Sequence, residues 1–113
     1  MRVKRGVVAR RKHRKLLTLA KGYRGGRSKL VKQAKEAVIH AGADAYRGRK
    51  EKKKQARSMW ITRINGALST HDTSYSKFMG ILKKKNIKLD RKVLSQIAIE
   101  DPEAFENLVK KVI

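Results

Sequence analysis

Between Arg47 and Arg57 the sequence reads RGRKEKKKQAR, seven Arg or Lys with a single acid, Glu51. Apolar residues at three-to-four spacing run into it (Leu30, Ala34, Val38, Ala41, Ala45) and out of it (Trp60, Ile61, Ile64, Leu68), which predicts one helix passing through. The stretch itself has no apolar face. A helix polar on all sides buries nothing against its own protein, so its order comes from side-chain pairs or from an external partner. One carboxylate among seven cations cannot neutralise it, and like charges at i,i+4 cost about 0.2–0.5 kcal/mol per pair. The missing partner has to be a polyanion.

The charge of the whole chain points the same way. Lys and Arg number 31 against 9 Asp and Glu over 113 residues, a formal charge of +22. Residues 1–60 hold +18 of it, residues 61–113 only +4. That is far more than solubility requires of sixty residues, and it predicts a nucleic-acid-binding segment joined to an ordinary folded unit. The chain has no cysteine, hence no disulfide framework and no thiolate metal site. No apolar run approaches the roughly 18 residues of a membrane span, and MRVKRGVVARRKHRK lacks a signal peptide's apolar core. An intracellular protein is expected, where most polyanion is nucleic acid.

Residues 1–15 contain eight Arg or Lys and little apolar material, so this arm is expected to be disordered alone and to order on phosphates as counterions are released. Leu16, Leu17, Leu19 and Ala20 predict a short helical turn ending at Gly22. In GYRGGRS (Gly22–Ser28) three glycines let the backbone approach something bulky. The loop ends GGRS rather than the GK[ST] of a nucleotide-hydrolysing loop, which excludes that chemistry. Tyr23 beside Arg24 suits stacking on a base, or plugging the loop. Ser28 is the expected N-cap of a helix running to about Leu68. Its early stripe of small residues (Ala34, Ala37, Val38, Ala41, Ala45) permits close approach of another backbone, and Gly42 and Gly48 mark places for a bend or a partner contact.

From residue 57 the character changes. Met59, Trp60, Ile64, Ala67 and Leu68 form a broad apolar face, with Trp60 assigned to core packing over stacking on a base. Thr73 or Ser74 is expected to cap a helix burying Tyr75, Phe78, Met79 and Leu82, which ends through Lys83, Lys84, Lys85 and Asn86. Asp90 is expected to cap Arg91–Ile99, with Val93, Leu94 and Ile97 inward. Asp101-Pro102-Glu103 supplies cap, first-turn proline and first-turn acid for a last helix, Pro102–Val112, presenting Phe105, Leu108, Val109 and Val112. The fold class is therefore all-α: a basic N-terminal arm leading into a long extended helix (residues 1–56), then a small C-terminal helical bundle domain (residues 57–113).

Catalytic chemistry is not visible. His13, His40 and His71 are far apart in sequence, with no metal-ligand spacing. Glu100, Asp101, Glu103 and Glu106 crowd one helix junction, where capping and dipole complementarity account for them. No catalytic residue, metal ligand, cofactor or small-molecule substrate is expected, and the apolar face that would insert at a membrane is missing from Arg47–Arg57. On charge alone a histone-like DNA-compacting protein remains the rival.

Seven segments in order, RVKRG (Arg2–Gly6), AKGYRGGRS (Ala20–Ser28), AYRGRKEKKKQAR (Ala45–Arg57), WITRIN (Trp60–Asn65), SYSKFM (Ser74–Met79), LDRK (Leu89–Lys92) and DPEAF (Asp101–Phe105), closely resemble the family of bacterial large-subunit ribosomal protein number twenty. The resemblance covers essentially the whole chain. It implies an rRNA-embedded basic extension and a small helical domain that also binds rRNA. It further implies a structural, non-enzymatic role in the large subunit, direct binding of 23S rRNA and support of early subunit assembly. The implied location is the cytoplasm or an organellar ribosome, beside neighbouring large-subunit proteins. In some bacteria the family also represses its own operon, which adds the chain's own mRNA as an optional partner.

Most of the RNA-binding residues are what the resemblance implies; His13, Lys54, Arg63, Lys83, Lys84 and Lys85 are added from their place among the other cations. In the arm they are Arg2, Lys4, Arg5, Arg10, Arg11, Lys12, His13, Arg14 and Lys15. In the glycine loop they are Lys21, Tyr23, Arg24 and Arg27, and in the basic helix Arg47, Arg49, Lys50, Lys53, Lys54 and Arg57. Arg63 within WITRIN and the clamp Lys83, Lys84 and Lys85 complete the set. The chain departs from the family pattern at Gly48, Glu51 and Ala56, where an acid, a cation and an aromatic are common.

Overall fold

The computed structural model describes Arg2 and residues 4–113. Among these the chain is all-α: α1 (Gly6–Leu19), α2 (Val31–Leu68), α3 (Tyr75–Lys84), α4 (Arg91–Glu100) and α5 (Pro102–Val112), with short 3-10 turns at Gly25–Ser28 and Ser69–His71. Residues 1–50 and 51–113 group into two compact units, residues 51–56 falling in the second.

In the first unit, residues 6–15 are helical where the sequence predicts disorder. α1 buries no side chain, and Val7 and Val8 are exposed. Its Arg, Lys, Ala and Leu are good helix formers, and a helix satisfies its own backbone without a core. α1 closes when the Ala20 amide donates to the Leu16 carbonyl (3.1 Å), and Tyr23 donates to Ala20 (3.1 Å). The chain then turns through Gly22 (φ +84°) and Gly25 (φ +62°), left-handed values that favour glycine. Ala20 and Ala34 are fully buried.

Ser28 is not the N-cap of α2. It lies in the 3-10 turn with its hydroxyl donating to the Gly25 carbonyl (3.0 Å), and the first bond of α2 runs from the Ala34 amide to the Leu30 carbonyl (2.8 Å). α2 continues without a break in its helical assignment through Gly42 and Gly48. A Cβ at either glycine would meet nothing, so packing within the protein does not demand them. Ala41 and Ala45 of the small-residue stripe are exposed.

The second unit has a conventional core of Ile64, Leu68, Phe78, Leu82, Leu94, Phe105, Val109 and Val112. Each such side chain contributes about 1.5–3 kcal/mol by leaving water. α3 ends in a Schellman motif: Asn86 adopts φ +55°, its amide donates to Lys83 (3.1 Å), and Ile87 donates to Leu82 (2.9 Å). The start of α3 is served by Asn65, whose Oδ1 accepts from the Tyr75 amide (3.4 Å), rather than by the side chains of Thr73 or Ser74. Asp90 stands at the start of α4 without a side-chain cap bond, whereas Asp101 accepts from the Ala104 amide (2.9 Å) ahead of Pro102. Val93 faces solvent, not the core; the buried position beside Leu94 is Ser95, its hydroxyl satisfied by the Lys92 carbonyl (2.9 Å).

Candidate nucleic-acid interface

Residues 1–50 carry 17 Arg or Lys and only two acids, Glu36 and Asp44. Every cation the sequence predicts to bind RNA is exposed, and so is His13; Tyr23 is half-buried. Ammonium and guanidinium groups held on exposed helix faces, with few carboxylates to neutralise them, suit phosphate contacts.

The 14-residue α1 brings Arg10, His13 and Arg14 to one side at helical spacing. With Lys21 and the Ser28 turn they line a groove of about 740 Å³. Arg11, Lys12 and Lys15 do not line it, nor do Arg2, Lys4 and Arg5. A second groove of about 630 Å³ joins the glycine loop to α2. Tyr23, Arg24 and Arg27 stand on one side, and Glu36, His40 and Asp44 on the other.

On the basic helix, Arg47 is tied to Asp44 one turn earlier, and the Lys50 ammonium lies 4.4 Å from the Tyr46 ring centroid, a cation–π contact. Arg49, Lys53 and Arg57 recur every four residues and so share one face, with Lys54 exposed beside them. Glu51 takes part in neither ion pair seen among the described residues, Arg47–Asp44 and Lys110–Glu106.

In the second unit Trp60 is half-buried outside the core, contrary to its sequence assignment. It lines a cleft of about 350 Å³ with Arg63, Lys92, Gln96 and Glu100. Lys83 and Lys84 are exposed at the end of α3. Lys85, exposed as well, donates to the Lys111 carbonyl (3.4 Å). Sequence reasoning passed over Lys32 and Lys35 on α2 and Lys92 on α4, all exposed. The overall charge excess is the signal for Lys32 and Lys35, and Lys92 also closes the LDRK segment. No described helix is long and apolar enough to cross a membrane.

Comparison with known proteins points to one family. The family model described as Ribosomal protein L20 matches residues 2–108. The large ribosomal subunit protein bL20 of Chloroflexus aurantiacus is 52% identical over 110 residues, covering 97% of this chain and 92% of that protein. Those of Burkholderia cenocepacia and Burkholderia pseudomallei are each 54% identical over 111 residues, covering 98% of this chain and 93% of theirs. With matches of this extent, the chain belongs to the ribosomal protein L20 family.

Proposed function

We propose that this ribosomal protein of the large subunit, a structural component and not an enzyme, binds 23S rRNA directly and supports early assembly of that subunit. The observation that carries the reading is the exposed cation array of residues 1–57, set on helices with almost no acid to neutralise it. Such an array neutralises phosphates where RNA helices crowd, releases counterions, and so favours compact RNA over open RNA. The residues proposed to do this are those named from the sequence. Residues 57–113 add a folded domain that grips RNA by shape and backbone. Neighbouring large-subunit proteins are the other partners. Repression of its own operon would use the same cations on the chain's own messenger.

The test compares folded large-subunit rRNA fragments with duplex DNA at physiological salt. Tighter binding to rRNA is expected; equal affinity would sink the reading in favour of a DNA-compacting protein.

A further inference from the structure

The only two carboxylates among the first 50 residues, Glu36 and Asp44, line the same groove. In a unit built for phosphate this needs a chemical reason, because a carboxylate repels phosphate and wants a hydrogen-bond donor. The groove holds about 630 Å³, within the range of small-molecule sites. Its α2 wall follows from helical spacing: Glu36, His40 and Asp44 form one row, and Ala37 and Ala41 leave space beside it. Its loop wall is Tyr23 with Arg24 and Arg27. The loop is joined to the start of α2 by the Leu30 amide donating to the Gly26 carbonyl (2.8 Å), with the end of the Gln33 side chain lying over Gly26.

We infer that this groove takes an unpaired guanine of RNA, its ring against Tyr23, its Watson–Crick edge read by Glu36 and its phosphates held by Arg24 and Arg27. The inference rests on the RNA-binding reading and names a ligand within it. Asp44 is engaged by Arg47, whereas Glu36 is in neither ion pair among the described residues. Among the four bases only guanine presents two adjacent donors, N1–H and the N2 amine, on that edge, and a carboxylate offers two acceptors side by side. Adenine, cytosine and uracil each place an acceptor where Glu36 needs a donor. An aromatic ring supplies stacking to any base, so selectivity comes from the carboxylate.

The test uses the full chain and single-stranded RNA pentamers UUXUU, with X as guanine, inosine, adenine, cytosine or uracil, by fluorescence anisotropy at one salt concentration. The guanine pentamer should bind about tenfold tighter than the adenine, cytosine and uracil pentamers. Inosine, which lacks the N2 amine, should lose most of that preference, and Glu36→Gln should abolish it while leaving helical circular dichroism unchanged. Equal binding of all pentamers, or a guanine preference that survives Glu36→Gln, would overturn the inference. Folded rRNA fragments measured alongside separate the two failures: if they still outcompete duplex DNA, only the guanine site is lost.

Discussion

The rings of Phe78 and Phe105 meet with centroids 6.2 Å apart at a tilt of 53°, joining α3 to α5 in the middle of the second unit's core. Both side chains are at least 98% buried, so neither can be shortened without leaving a cavity. Phe105→Ala should cost about 3–5 kcal/mol. Chemical denaturation followed by circular dichroism checks this; a change below about 1 kcal/mol would mean that the two rings are not central to the core.

The start of α5 depends on one carboxylate. Asp101→Ala removes the acceptor for the Ala104 amide and should cost about 1 kcal/mol. Asp90→Ala, whose side chain makes no cap bond, should cost clearly less in the same denaturation experiment.

At the end of α3, Asn86 holds a left-handed conformation. Asn86→Val should destabilise the second unit by about 1–2 kcal/mol, and Asn86→Gly should be neutral or stabilising. In thermal melts Asn86→Val should fall below the unaltered protein and Asn86→Gly should stay level with it or rise above it.

The exposed cations of α1 predict a salt signature. Replacing Arg10 and Arg14 with alanine should lower the slope of log affinity against log salt by about 0.7–0.9 for each phosphate left without its cation. Titrating an rRNA fragment at several salt concentrations reads the slope directly; an unchanged slope would show that these cations face no phosphate.

Deletion of residues 1–56 should leave a folded helical remnant, because the eight core side chains all lie between Ile64 and Val112. Disappearance of its helical circular dichroism would contradict a boundary at that point.

What the sequence made legible divides along one physical line. Pro102–Val112 was readable to the residue because cap, proline, acid and apolar stripe are local signals that agree with one another. Ser28 misled because a hydroxyl before a helix serves a 3-10 turn equally well, and its choice of Gly25 depends on the left-handed glycine. Val93 and Trp60 misled because helical spacing fixes a face only to within a residue, and tertiary packing decides which edge of that face stays wet. The arm's lack of burial predicts disorder, yet α1 forms from propensity without any. The groove over Glu36 could not be read at all, since the loop wall and the helix wall are brought together only by the turn at Gly22–Ser28.

The central claim, that the chain is built into the large subunit through its RNA, is tested most directly by sedimentation of the tagged protein from a cell lysate in moderately high salt. It should travel with the large ribosomal subunit and leave that fraction when the RNA is digested. Sedimentation with DNA, or recovery at the top of the gradient free of ribosomal particles, would contradict it.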